Sequence, residues 1–290
     1  MTQRDAMNQA GAEDRAGADE SAFFSALAGL PPCGTVLHNR DDRAVQRYLE
    51  AAGARMPNHH WDQGLPADVA SAMDLVFQRL QGRREGWKEA DHARYVDGYL
   101  VGGGLGPCLV EFDEEQHFSP FRLATLEILA PLIQPRFDVG QFAGYCLDPA
   151  CFRQFWRKHR LPSDLLRPGQ APPRSVLEFT GSLLRRLPPN PATRYYAPVT
   201  GFPFVGGRIA QRAYYDSLRD CFHLTAEGRR LGLRPVVRVA KYQVEAALGM
   251  SMAAAGAQEL QAAVSSMLPS NGNEAPDLGD QGGRAERTDG

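Results

Sequence analysis

The stretch YVDGYLV-GGGLGP-CLVEFD, residues 95–113, decides the fold. Two extended runs, 95–101 and 108–113, flank a Gly-rich connection, which is typical of neighbouring strands joined by a turn. The second run is apolar on both faces until its carboxylates, as expected of a central strand. Because side chains alternate along a strand, Glu111 and Asp113 point the same way. Pairing about the Gly-rich loop brings Asp97 opposite or diagonal to Glu111.

Helical patterns surround this strand pair. Asp41 or Asp42 can cap a short helix through Ala51, and Pro66 opens a second helix that ends at Gly82. Further helices are predicted at about 119–129, 149–160, 175–187, 208–220 with a broken continuation to 230, and 243–268, with another strand at 235–240. This order predicts an α/β fold, a sandwich in which a small mixed β-sheet is flanked by helices.

The two ends of the chain differ in composition from the middle. Residues 1–20 and 266–290 are rich in Gly, Asp, Glu, Asn and Ala, so we predict disordered tails there. A single domain is then expected over residues 21–265. Residues 131–207 contain many prolines and aromatics without a clean period, and we interpret them as an insertion in that domain.

Cysteine and hydropathy patterns argue against several classes of protein. None of the five cysteines forms a Cys-x-x-Cys pair, which disfavours a disulfide framework or a zinc ribbon. The first residues are polar and acidic, unlike a secretory signal. No apolar run approaches the roughly 18 residues that a membrane span requires. We therefore expect a cytoplasmic protein with reduced thiols and no membrane partner.

The concentrated chemistry lies at Asp97, Glu111 and Asp113. Carboxylates that converge at the end of a buried strand either raise one another's pKa or need a cation. A hard cation such as Mg²⁺ or Mn²⁺ prefers oxygen ligands and can polarise a phosphodiester. Gln116 and His117 follow on the same run, and a histidine there could act as a general base. The structural alternative is that Asp97 caps a turn while the other two acids pair with Arg94, Arg122 or Arg238.

A basic block lies further along the chain. Residues 151–212 contain eleven Lys or Arg and only two acids, a local balance of +9 within a chain of net charge −2. Such asymmetry suggests an anionic partner. If that partner is a nucleic acid, we expect binding to depend mainly on contacts with its phosphate backbone. The expected nucleic-acid-binding residues, from this block and next to it, are Arg122, Arg153, Arg157, Lys158, Arg208, Arg212 and Arg219.

Two segments together resemble a known family. The runs YVDG at 95–98 and LVEFDEEQH at 109–117 look like the core of very-short-patch-repair-type endonucleases, in the PD-(D/E)xK, restriction-endonuclease-like superfamily. Residues 212–220 and 232–244 are similar to its downstream half, a helix with Asp and Arg and then a strand bearing Arg. The chain departs from the pattern at Glu114, where the family has Gly, and it lacks the usual catalytic Lys.

The resemblance implies a restriction-endonuclease-like sandwich and metal-dependent cleavage of DNA. It carries over Asp97 and Glu111 as metal ligands, places Asp113 where the superfamily has Lys or an acidic substitute, and matches His117 to the histidine that follows the strand. We therefore expect a Mg²⁺- or Mn²⁺-dependent DNA endonuclease or nickase, with Asp97, Glu111 and Asp113 as metal ligands and with Gln116 and His117 assisting. The alternatives are a catalytically inactive relative that binds nucleic acid or a protein partner, and an interaction protein whose acids only form ion pairs.

Overall fold

A computed structural model describes residues 17–40, 43–85, 87, 96–148, 151, 198–204 and 206–269. Within these ranges one four-stranded sheet has its strands in chain order: β1 (Thr35–His38), β2 (Gly98–Val101), β3 (Cys108–Asp113) and β4 (Arg234–Ala240). The first three strands pair antiparallel, and β3 pairs parallel with β4. The sheet is therefore small and mixed, as predicted.

The strand pair around the Gly-rich loop is confirmed, with one shift. β3 has the predicted bounds and is buried along its whole length. β2 begins at Gly98 and not at Tyr95, which lies outside the described residues. The backbone pairing of β2 with β3 ends at Gly98. Beyond it the amide of Phe112 donates to the Asp97 side chain at 3.0 Å and not to a backbone carbonyl.

The helices cover both faces of the sheet. The first, α1, covers residues 17–28. The others are α2 (Ala44–Ala51), α3 (Ala67–Arg79), α4 (Pro120–Ile133), α5 (Val139–Leu147), α6 (Gly207–Cys221), α7 (Ala226–Arg230), α8 (Lys241–Leu248) and α9 (Ala257–Met267). Short 3-10 turns lie at Pro31–Cys33, Glu115–His117, Phe222–Leu224 and Met252–Ala254.

Side chains alternate along β3, so its two faces lie in different environments. Cys108, Val110 and Phe112 belong to the apolar core shared with α1 and α9. Glu111 and Asp113 project from the other face, where they form ion pairs with Arg219 of α6 and Arg238 of β4. The prediction that these two carboxylates share a face is confirmed, and α6 covers that face.

Several predicted boundaries were wrong for identifiable reasons. The N-terminal tail was drawn too long, because α1 begins by residue 17 and buries Phe23 and Leu27 completely. α4 continues past Leu129 through Pro131, since Leu129 and Ile133 are buried in one core. The last helix is two helices, interrupted after Gly249, whose φ of +66° ends α8.

Other elements were missed or fall outside the description. α5 lies inside the segment interpreted as an insertion, and Asp138 caps it by accepting from the Gln141 amide at 2.9 Å. The helices predicted at 149–160 and 175–187 lie outside the described residues, except for Cys151. In the described part of the chain, no helix is both long and apolar enough to cross a membrane.

Candidate functional site

Asp97 and Glu111 face each other across β2 and β3. The register pairs Gly98 with Val110, and its continuation sets Asp97 beside Glu111. The Asp97 amide donates to Glu111 Oε1 at 3.3 Å, and Asp97 Oδ2 accepts from the Phe112 amide at 3.0 Å. Glu111 is 1% exposed, and the Asp97 carboxyl is buried with it, although Asp97 as a whole residue is partly exposed. The predicted juxtaposition of these two residues is confirmed.

Burial makes this carboxylate pair hard to ionise. Desolvation raises the pKa of Asp97 to about 7, and the negative charge of Glu20 on α1 adds to the effect. Desolvation likewise raises the pKa of Glu111 to about 8, with Asp97 opposing ionisation and the Arg219 guanidinium favouring it. Because Arg219 Nε lies 3.4 Å from Glu111 Oε1, one guanidinium compensates part of the pair's charge. A cation at the pair would favour the ionised form of both carboxyls.

Asp113 has a different environment from the other two acids. Arg238 Nη1 donates to both of its oxygens, at 2.7 and 2.9 Å, and this guanidinium is fully buried. His117 Nδ1 lies 3.1 Å from Asp113 Oδ1 and 3.0 Å from Asp216 Oδ2. Asp113 therefore forms a buried charged cluster with His117, Asp216 and Arg238.

The cluster has the geometry of a cation site. Asp113, His117 and Asp216 each offer a ligand atom, these atoms lie within 4.8 Å of one another, and all three residues are buried. The group could hold a metal ion. Asp113 and Asp216 already pair with Arg238, and Arg219 also binds Asp216 at 2.9 Å. An ion in this position would compete with two guanidinium groups.

Burial alone would oppose the ionisation of Asp216. Interactions with His117, Arg238 and Arg219 outweigh that penalty and hold the pKa of Asp216 well below its usual range. The Asp216 carboxylate is thus ionised, and it positions the imidazole of His117 by accepting from Nδ1.

Arg122 was expected to contact nucleic acid, and the structure corrects this. Its side chain is 2% exposed, and Nη2 donates to Asp220 Oδ2 at 2.7 Å. Asp220 also accepts from Arg238 Nε at 2.7 Å, so this aspartate joins Arg122 to the buried cluster. An arginine so enclosed has no surface from which to reach a phosphate, and removing it would leave Asp220 buried without one of its partners.

The remaining predicted residues have varied surroundings. Gln116 donates to Glu114 Oε2 at 3.3 Å, and within the described ranges it has no hydrogen bond with Asp97, Glu111 or Asp113. Arg208 donates to Gln211, and Arg219 lies between Glu111 and Asp216. Arg212 Nη1 lies 3.1 Å from His117 Nε2. Three predicted phosphate contacts, Arg153, Arg157 and Lys158, lie outside the described residues.

Sequence reasoning missed the partners that α6 and α1 supply. Arg212 and Asp216 have the i,i+4 spacing of a helical ion pair, but Asp216 binds His117, Arg219 and Arg238. The sequence signal for this arrangement was the pair of acids Asp216 and Asp220, which lie one turn apart on the same face of a predicted helix. Glu20 falls in the segment predicted to be a tail, yet it accepts from Arg40 at 2.9 Å, and its negative charge helps to raise the pKa of Asp97.

Comparison with known proteins adds no relative to this description. No family model, no curated protein and no solved structure matches the chain.

Proposed function

We propose that this chain is a Mg²⁺- or Mn²⁺-dependent nuclease with a restriction-endonuclease-like fold, which cleaves or nicks DNA. The observation that carries the proposal is the buried pair Asp97 and Glu111, which lie beside each other where two neighbouring strands pair, with the Asp97 amide donating to Glu111 Oε1. Two desolvated carboxylates with raised pKa values form an oxygen-rich site for a hard cation.

The donor set fits the proposed cation. Carboxylate oxygens suit Mg²⁺ and Mn²⁺, which keep several waters and are completed by substrate phosphate oxygens. In this proposal Asp97 and Glu111 hold the ion, whereas Asp113 orients His117 and is itself held by Arg238. When bound, the ion supplies polarisation of the phosphodiester and stabilises the charge on the leaving oxygen.

The protein's own residues supply the proton transfer and the hold on the phosphate. His117 Nε2 accepts a proton from a water molecule, and Asp113 and Asp216 stabilise the imidazolium that forms. The hydroxide forms a bond to phosphorus while the bond to the leaving oxygen breaks, and that oxygen takes a proton from solvent. Arg212, adjacent to His117 Nε2, contacts a non-bridging phosphate oxygen.

The test is a Mg²⁺ or Mn²⁺ titration by calorimetry combined with nicking of supercoiled plasmid. We expect the wild type to bind the ion and nick, and Glu111→Gln to lose both activities. Glu50→Gln is the matched control, because Glu50 is an exposed carboxylate on α2. The proposal fails if the wild type neither binds the ion nor nicks, or if Glu111→Gln does both as well as the wild type.

One observation favours a second candidate, a catalytically inactive module that binds nucleic acid or a protein partner. Arg122, Arg219 and Arg238 already compensate much of the buried acidic charge without any metal. An inactive module that binds DNA should do so equally well in EDTA, with affinity falling steeply as salt rises. Plasmid retention in EDTA together with an absence of nicking in Mg²⁺ would favour this function over the nuclease.

A further inference from the structure

The hydrogen bonds of His117 determine where its proton lies. Nδ1 is 3.0 Å from Asp216 Oδ2 and 3.1 Å from Asp113 Oδ1. Both carboxylates also pair with Arg238, and a carboxylate only accepts hydrogen bonds, so the proton in this contact lies on Nδ1.

The opposite side of the ring has the complementary arrangement. Nε2 lies 3.1 Å from Arg212 Nη1, and a guanidinium can only donate. Nε2 therefore accepts through its lone pair and carries no proton. The ring nitrogen that could accept a proton from water is therefore capped by Arg212.

Arg212 is less strongly held than the other arginines of the site. Arg238 is fully buried against three aspartates, and Arg219 pairs with Glu111 and Asp216. Arg212 is half-buried, and among the residues that the structure describes no carboxylate lies within ion-pair distance of it. A phosphate offers a guanidinium paired, charge-assisted hydrogen bonds, which are stronger than one bond to a neutral imidazole.

We propose that Arg212 is a substrate-sensitive cap on His117: an anionic phosphodiester that binds Arg212 draws the guanidinium away from Nε2 and frees the lone pair. The proposal rests on the proposed function for its biological meaning, since the uncapped histidine would then be the base. Without substrate His117 is masked, and with substrate the same contact that holds the phosphate exposes the base.

The cap can be observed without cleavage, by ¹⁵N NMR of the imidazole nitrogens in the full chain without metal. Loss of one signal set in His117→Gln assigns the residue. We expect Nδ1 protonated and Nε2 unprotonated but hydrogen-bonded in the wild type. In Arg212→Met the Nε2 resonance should move to the position of a free lone pair while Nδ1 stays, and Arg79→Met, which changes an exposed arginine on α3, should leave both in place.

Dimethyl phosphate is the probe for the anion. Its titration into the wild type should move Nε2 in the same direction as Arg212→Met does, and it should have no effect on Nε2 in that variant. A protonated Nε2 in the wild type, or an equal response to dimethyl phosphate in Arg212→Met, would overturn the proposal. Neither result requires metal or nicking, so this outcome is separate from the test of the nuclease function.

Carbethoxylation of histidine by diethyl pyrocarbonate, read by peptide mass spectrometry, gives a second measurement. The reagent needs an unprotonated nitrogen lone pair, so His117 should react about tenfold faster in Arg212→Met than in the wild type, the factor expected for loss of one ordinary hydrogen bond. Equal rates in the two proteins would contradict the cap. The other described histidines in the same digest report whether the fold is intact.

Discussion

Arg238 binds both oxygens of Asp113, at 2.7 and 2.9 Å, from the neighbouring parallel strand. This contact divides the three acids of the strand pair into two groups. Asp113 is neutralised by a buried arginine, whereas Asp97 and Glu111 share Arg219 and keep raised pKa values. The sequence suggested three equivalent carboxylates, and the structure separates a candidate cation pair from a residue that orients His117.

Removing Arg238 should be among the most destabilising single changes in the chain. Arg238→Met leaves Asp113, Asp216 and Asp220 buried without their shared partner. Breaking a buried ion pair in this way costs about 3–5 kcal/mol of unfolding free energy. Urea denaturation followed by circular dichroism measures it. Arg79→Met, at an exposed position, should change stability by no more than about 0.5 kcal/mol, and equal effects of the two changes would contradict the assigned role.

Glu111→Gln should stabilise the metal-free protein at neutral pH. Because burial raises the pKa of Glu111 above its usual 4.5 to about 8, the folded state holds a proton that the unfolded chain releases. The contribution of Glu111 to the unfolding free energy is therefore fully present below its unfolded-state pKa of 4.5 and is lost as the pH rises through its folded-state pKa of about 8. Urea midpoints at pH 5 and pH 8 should differ less in Glu111→Gln than in the wild type. A larger difference in the variant would show that the sign is wrong.

Cation binding at the same pair should depend on pH in the opposite direction. An ion needs both carboxylates ionised, so it competes with their protons and releases them on binding. Mn²⁺ affinity should rise with pH through the pKa values of Asp97 and Glu111, about 7 and about 8, and level off above them. Calorimetry in buffers of different ionisation enthalpy counts the released protons. Binding that is independent of pH would place the ion elsewhere.

Gly34 should not tolerate a side chain. Its φ is +65°, and a Cβ there would lie 2.9 Å from the backbone nitrogen of Gly103, in the loop that joins β2 to β3. Gly34→Ala should cost roughly 1–3 kcal/mol, because strain at a positive φ adds to a clash with backbone that cannot move aside. Thermal or urea unfolding measures the loss.

Gly144 provides the matched comparison. It lies inside α5, and a Cβ there would meet nothing within 4 Å. Gly144→Ala should stabilise the protein by about 0.5–1 kcal/mol through helix propensity. If both alanine variants behaved alike, the close approach of Gly34 to Gly103 would not be the cause.

The local sequence pattern was sufficient to predict much of the sheet and the position of Asp97 across from Glu111. Alternation set Glu111 and Asp113 on one face, and the Gly-rich turn set Asp97 across from Glu111, because strand geometry depends on neighbouring residues. α1 and β1 were missed: the polar residues before Ser21 hid the start of an apolar helix, and four residues are a weak strand signal.

By itself the sequence determined an α/β chain with a central acidic strand and brought three acids, Asp97, Glu111 and Asp113, together as candidate ligands of a cation. Only the tertiary structure decided what each charge does. Arg122, Arg212 and Arg238 look alike in the sequence. Arg122 and Arg238 are nevertheless buried in one ion network with Asp220, whereas Arg212 stays half-buried beside His117. The physical reason is that the energy of a charge depends on its desolvation and its partners, and these partners come from positions about a hundred residues apart that meet only when α6 packs on the sheet.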